Sequence, residues 1–334
     1  MSILVVADER LAEHRPPEGH PERPARFAAA VEGIERTDFR DALVWREPSE
    51  APVEAILGVH TKSHVERIES LGGQDRVRLD PDTHMSSGSL LAARLAAGAG
   101  LDAIDALRTG DADSAFCVVR PPGHHATPST AMGFCLYNNV AVTAQALTEA
   151  GERVAIVDFD AHHGNGTQDA FYDRDDVLFI STHEFPQYPG TGALYEQGMD
   201  AGRGYTVNLP MPSGATGDVY LRAFDEVIEP AMEDFGPTWL LISAGFDAHR
   251  ADPLTNLGLT SGDYAALTTR LTRLVPAGRR IAFLEGGYDL DALGHCAAAC
   301  VGALLGETHA PEAQSNGGPG HRVVDAAIEL RDGI

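Results

Sequence analysis

With 334 residues, 43% of them hydrophobic and 22% charged, the chain has the composition of a soluble globular protein and the length for one large α/β domain or two ordinary ones. A formal net charge of −24, with Lys62 the only lysine, excludes the basic footprint that nucleic acid needs, and no apolar run reaches the roughly 18 residues of a transmembrane helix. The acidic surface suits solubility; long-range steering of cationic partners is the other use open to it.

In chain order, the opening MSILVVADERL reads as a short strand over 2–7 and not as a signal peptide, because Asp8 and Glu9 come too early and no basic region precedes them. Further strands are expected at 115–119, 153–159, 177–182, 205–210, 239–245 and 280–287, with helical patterns at 89–107, 138–151, 217–235 and 261–275 between them. This alternation predicts a parallel sheet with helices on both faces, a three-layer αβα fold. EAQSNGGPG (312–320) reads as a connection before a last amphipathic stretch, 321–333. One domain over 1–310 is expected, with 311–334 as a linker and helix packed on it. Cys296 and Cys300, four apart in an Ala-rich helical stretch, and Cys117 and Cys135, beside apolar segments, read as small buried hydrophobes in a reducing cytoplasm and not as a disulfide framework.

Ligands of open α/β sheets bind beyond the carboxyl ends of the strands. Four of the predicted strands run there into RPPGHHATPSTAMGF, DFDAHHGNGTQ, GFDAHRADPL and EGGYDL, which bring His, Asp or Tyr beside glycines. Asp160 and His162 are two apart at a strand end, so their side chains point the same way. Asp247, from another strand end, is the best candidate for a third ligand. Such an Asp₂His set with open positions suits a catalytic divalent metal; zinc comes first, and with no thiolate iron(II) or cobalt is also compatible. Alone, D-x-H is a weak pattern, Asp247 would be an ordinary cap or loop residue, and Tyr288 would be a packed loop tyrosine. Their convergence carries the reading. The tandem His124 and His125 suggest acid–base chemistry, with Asp158 and Asn165 available to fix their tautomers and His125 paired with Asn165 as the proton shuttle. Tyr288 follows Gly286 and Gly287, whose freedom lets a phenol approach a bound carbonyl as an oxyanion donor.

RPPGHHA, GFCLYNNVAVTA, DFDAHHGNGTQ, YPGTG, GFDAHRADPL and LEGGYDL occur in this order, and the chain closely resembles the zinc-dependent histone deacetylase superfamily, which includes bacterial histone-deacetylase-like amidohydrolases and acetylpolyamine amidohydrolases. HPERPARF (20–27) and DPDTHMSSGS (80–89) resemble its first loop and a rim segment, and the likeness spans roughly residues 10 to 305. The resemblance implies the arginase–deacetylase fold, a single domain with about eight mostly parallel strands. It also implies zinc on Asp160, His162 and Asp247, a catalytic His124–His125 pair with partners Asp158 and Asn165, and Tyr288 polarising the carbonyl. Gly133 would accept the substrate amide N–H, Phe134 and Tyr188 would form aromatic walls, and Leu254 would stand at the gate. Potassium is implied on Asp158, Asp160, His162, Ser181 and Thr182, with a second, less closely matched set in Phe171, Arg174, Val177 and Tyr205. The chain departs from the pattern in having Asn165 where some relatives carry Asp, His64 where tyrosine is common, and a shorter 182–192 loop.

The expected activity is hydrolysis of an acetyl or short acyl amide of a lysine-like primary amine, releasing acetate. An acetylpolyamine amidohydrolase is the first alternative and a non-catalytic acyl-lysine binding module the second. An arginase-like two-metal site would need a second cluster of carboxylate ligands. The expected partner is the acylated amine, in a cytoplasmic enzyme that touches neither nucleic acid nor membrane and is compatible with homo-oligomers.

Overall fold

All seven apolar runs form strands in the structure, a computed structural model that describes residues 1–331. In chain order the strands are β1 (Ile3–Val6), β2 (Leu43–Arg46), β3 (Val77–Arg78), β4 (His84–Met85), β5 (Ser114–Cys117), β6 (Val154–Asp158), β7 (Val177–Glu184), β8 (Thr206–Met211), β9 (Trp239–Ala244) and β10 (Arg280–Leu284). Among the described residues, eight make one sheet in the order β2-β1-β5-β10-β9-β6-β7-β8, and β3 and β4 form a small antiparallel pair. Every pairing in the large sheet is parallel. Its central strands are buried along their whole length, which is why they read as unbroken apolar runs and not as alternating ones.

The strand order positions the site. After β5 the chain skips two places to lay down β6, β7 and β8, then returns to fill the gap with β9 and β10. Because all eight strands are parallel, the carboxyl ends of β5, β10, β9 and β6 stand side by side on one edge. The four motif-bearing loops leave from those four ends.

Some elements carried no clear pattern. β2 is an edge strand of four residues with Val44 and Trp45 exposed, so it lacks a buried run. The helices Ala25–Glu35, Val53–Leu57, Lys62–Ser70 and Asn165–Phe171 join those expected, and the Ala-rich helical stretch around Cys296 and Cys300 is Leu290–Leu305. The 217–235 pattern is not one regular helix: Gly217–Ala223 and Glu229–Phe235 flank a π-helical turn at Phe224–Ile228. Pro230 cannot donate back to the preceding turn and its ring crowds that carbonyl, so the turn widens. Helices Ala25–Glu35 and Leu290–Leu305 cross at Gly33 and Gly294, where a Cβ on Gly33 would sit 2.2 Å from the Gly294 carbonyl oxygen.

Beyond residue 310, Glu312 and Ser315 bond to the start of helix Ser261–Leu274, and helix His321–Arg331 buries Val324 and Ala327. Asp332 and Gly333, the end of the expected 321–333 stretch, and Ile334 lie outside the described residues. All four cysteines are buried and free. No described helix is long and apolar enough to cross a membrane.

His60 gives the fold a pH dependence. It is 2% exposed, its Nδ1 lies 3.0 Å from the Thr127 carbonyl oxygen, and its Nε2 accepts the Asn138 N–H at 2.9 Å. That pairing requires neutral imidazole with the proton on Nδ1. Burial, reinforced by nearby His64, pushes its pKa down to about 3. The unfolded chain takes a proton near pH 6.5 and the folded chain does not, so the stabilisation is complete above pH 6.5 and is lost as pH falls toward 3. The expected loss is about 1.4 kcal/mol per pH unit in that window. Urea midpoints at pH 6 and pH 5 should differ less in His60→Gln than in the parent; equal differences would remove His60 as the source.

Candidate active site

β6 ends at Asp158, and the next turn delivers Asp160 and His162. The turn after β9, its neighbour in the sheet, delivers Asp247. Ligand atoms of Asp160, His162 and Asp247 all lie within 4.8 Å of one another. His162 Nδ1 is 3.2 Å from Asp160 Oδ1 and 3.0 Å from Asp247 Oδ2. The carboxylates are aimed by backbone: Asp247 Oδ1 accepts the Ala161 N–H at 2.7 Å, and Asp160 accepts the N–H of His162 at 2.8 Å and of Gly286 at 2.7 Å. Both aspartates are fully buried. Burial, then Asp160 beside it, raises the pKa of Asp247; in Asp160 burial is outweighed by His124 and His162, which hold it low. Two buried carboxylates converging on one imidazole, without a lysine or arginine between them, fit a divalent cation, which removes the mutual repulsion.

The β5 loop brings His124 and His125 alongside, their rings 4.0 Å apart. His124 Nδ1 lies 2.9 Å from Asp158 Oδ2, and His125 Nδ1 lies 2.8 Å from Asn165 Oδ1. Burial disfavours the charged form of both rings, but the partners divide them. Asp160 and Asp158 outweigh burial at His124 and raise it to about 10. His125 faces a neutral amide and two imidazoles; burial, then His124 and His162, holds it well below the usual histidine range. The Nδ1–H of His125 donates to Asn165, which leaves Nε2 as a free base. Burial pushes Asp158 to about 6 against the pull of His124.

A cavity of about 220 Å³ opens over these groups. His125 and His162 form its floor with Tyr288, Phe134 and Tyr188 flank it with Gly133, and Leu254 and Asp82 complete the lining. The Tyr188 ring is edge-on to His125 at 5.1 Å, and the Phe134 ring is edge-on to Tyr288 at 5.8 Å. Gly133 has φ +56°, and a Cβ there would lie 2.4 Å from His125 Cδ2, so only glycine lets this backbone approach the imidazole. Its carbonyl accepts the Cys135 thiol at 3.2 Å. Phe134 also sits at positive φ, 69°, with its N–H donating to Thr83 Oγ1.

The expected metal, acid–base and tunnel residues therefore meet; of the first potassium set, Asp158, Asp160 and His162 belong to this cluster, and Ser181 and Thr182 lie beside it, outside the cavity lining. Ser181 neighbours Asp158 across β6 and β7, and Thr182 Oγ1 donates to the Asp158 carbonyl at 3.4 Å. Phe171, Arg174, Val177 and Tyr205 lie toward the opposite edge, at the amino ends of β7 and β8, where Arg174 pairs with Asp176 at 2.6 Å. His64, the departure at a position where tyrosine is common, is buried and bonds the Leu136 carbonyl at 2.9 Å.

Four supporting groups were missed. Arg26 grips the β10 loop: its Nε donates to the Gly287 carbonyl at 2.6 Å, and its guanidinium lies 4.9 Å from the centre of the Tyr288 ring. Glu22 pairs with both Arg26 and Arg120 in full burial. Glu285 accepts the Gly123 N–H at 2.7 Å; burial pushes it to about 7. Asp252 accepts the Tyr288 N–H at 2.7 Å; burial, then Asp247, raises it to about 7. The available signal was their type: charged residues embedded in HPERPARF, RPPGHH, ADPL and LEGGY, beside the very motifs that end buried strands.

A family model for the histone deacetylase domain matches residues 20–304, which include every residue of this cluster. The chain belongs to the histone deacetylase family. Among the relatives of this family member, a probable deacetylase of Archaeoglobus fulgidus is 40% identical over 309 residues, covering 90% of this chain and 86% of the relative. A histone deacetylase-like amidohydrolase of Pseudomonas aeruginosa is 37% identical over 296 residues, covering 86% and 77%. The chloroplastic histone deacetylase 14 of Arabidopsis thaliana is 38% identical over 362 residues, covering 100% and 85%. The crystal structure of the HDA15 HD domain superposes with a TM-score of 0.91 at 38% identity, covering 99% of this chain and 94% of that one. The eight-stranded parallel sheet is thus the histone deacetylase fold.

Proposed function

We propose that this histone deacetylase family member is a metal-dependent amidohydrolase that removes acetyl or other short acyl groups from lysine-like primary amines. The observation that carries the proposal is the Asp160–His162–Asp247 cluster, within 4.8 Å, whose His162 lines a cavity together with His125 and Tyr288. Asp160, His162 and Asp247 would hold a divalent metal, zinc first by family and donor set, which when bound polarises a carbonyl and lowers the pKa of water.

His125, neutral and held by Asn165, removes a proton from the attacking water and passes it to the leaving amine. His124, held by Asp158 and raised in pKa by Asp160 and Asp158 together, adds positive potential beside the developing negative charge. Tyr288 donates a hydrogen bond from its phenol to the oxyanion and keeps its proton. Phe134 and Tyr188 exclude water and hold an extended methylene chain between two rings. The apolar Leu254 at the mouth favours an acyl-lysine over a substrate with a second ammonium. Asp82 in the same lining favours the second reading, an acetylpolyamine, whose extra ammonium it would meet.

Protein of known metal content, assayed for acetate release from acetyl-lysine peptides, acetylputrescine and acetylspermidine, separates the readings. The expected result is the highest kcat/KM on acetyl-lysine, with loss on chelation and recovery on metal addition. Higher kcat/KM on the polyamines would transfer the assignment to the second reading. No acetate from any substrate by the fully metallated protein would leave only a binding module.

A further inference from the structure

Tyr288 follows two glycines, and Gly287 has φ +112°, so its own loop does little to hold the ring in place. Two side chains hold it. On the carbonyl side Arg26 bonds Gly287 and covers the ring. On the N–H side stands Asp252, whose Oδ2 accepts the Tyr288 N–H at 2.7 Å while its Oδ1 accepts the Leu254 N–H at 2.9 Å. Asp252 is 7% exposed and its own N–H donates to the His249 carbonyl at 2.8 Å. One carboxylate therefore spans two strand-end loops, that of β9, which also supplies Asp247, and that of β10, which supplies Tyr288. Both residues it binds, Tyr288 and Leu254, line the cavity.

We propose that Asp252 is the positioning residue for Tyr288 and ties the phenol to the rim at Leu254. The proposal rests on the reading of Tyr288 as the oxyanion donor. The Asp252 carboxyl group serves here as a two-ended acceptor and is not part of the cavity lining. Removing it frees the Tyr288 N–H and the Leu254 N–H together. The phenol then drifts from the point where the oxyanion forms, and the rim relaxes with it. Displacement of a catalytic group by about 1 Å can cost up to about a hundredfold in rate.

The test is a double-mutant cycle on the metal-loaded full chain. Asp252→Ala should lower kcat by about tenfold to a hundredfold, with metal content unchanged. Asp252→Asn keeps one acceptor and should recover part of the loss. KM should rise by less than kcat falls, since the rim contributes binding and the phenol contributes rate. In a Tyr288→Phe background the same Asp252 replacements should change kcat by less than about threefold, because groups acting as a unit are not additive. Should Asp252→Ala melt below the assay temperature, Asp252→Asn serves for the cycle. Losses that multiply across the two sites, or wild-type kcat in Asp252→Ala, would overturn the proposal alone. Wild-type turnover by Tyr288→Phe would sink the oxyanion role of Tyr288 and take the proposal with it.

Discussion

Asp247→Asn is expected to lose both metal and turnover while keeping the fold. Asparagine has nearly the same shape, and its carbonyl oxygen still accepts the Ala161 N–H that Asp247 Oδ1 takes at 2.7 Å. What disappears is one of two carboxylate charges in a cluster whose ligand atoms lie within 4.8 Å. The remaining Asp160 and His162 come from one turn and offer only two donors, too few to retain a catalytic metal. Metal electrostatics supply several kcal/mol of transition-state stabilisation, so acetate release should fall by about a thousandfold or more. Without metal the order of stability should invert. The parent then carries two buried carboxylates side by side, and the variant, with one, should melt higher. Elemental analysis, acetate release and melting with and without chelator check the three statements. Full metal content with parental turnover would remove Asp247 from the ligand set.

Tyr288→Phe is expected to lower kcat by about 10²–10³-fold, the usual cost of one oxyanion donor. The ring is 8% exposed, packed under Arg26 and edge-on to Phe134, and phenylalanine preserves both contacts. Burial, only partly countered by Arg26, holds the phenol above its ordinary pKa, so it remains a protonated donor through the neutral range. The loss should therefore fall on kcat, with KM little changed and metal content at the parental level. Steady-state kinetics on an acetyl-lysine peptide, with metal analysis in parallel, decide it; parental kcat would exclude the phenol from the reaction.

Much of this site was legible before any coordinates, because each reacting group sits inside a short ordered motif at the end of an apolar run. DFDAHHGNGTQ carries Asp158, Asp160, His162 and Asn165, and EGGYDL carries Tyr288. The supporting carboxylates and guanidinium groups were not legible. Arg26, Glu285 and Asp252 act on backbone N–H and C=O groups of segments away in sequence, with Arg26 and Gly287 261 positions apart, and Glu22 reaches Arg120 98 positions away. Backbone partners leave no trace in residue type. The edge strand β2, half exposed and four residues long, produces no periodic apolar pattern, and the π-turn ahead of Pro230 keeps the helical spacing of Phe224, Val227 and Ile228, so the widening leaves no mark in it.

By itself, the sequence determined the alternation of buried strands and helices, hence the layered parallel sheet, and the chemical type of every group on the floor of the cavity. Apolar periodicity and residue chemistry are local properties and can be read one segment at a time. Only the tertiary structure decided that β9 and β10 are inserted between β5 and β6. That insertion is a long-range pairing choice made by packing across the whole sheet. It brings four loops to one edge, the first and last 162 positions apart at Gly123 and Glu285, so that Asp247 reaches His162 and Asp252 reaches Tyr288.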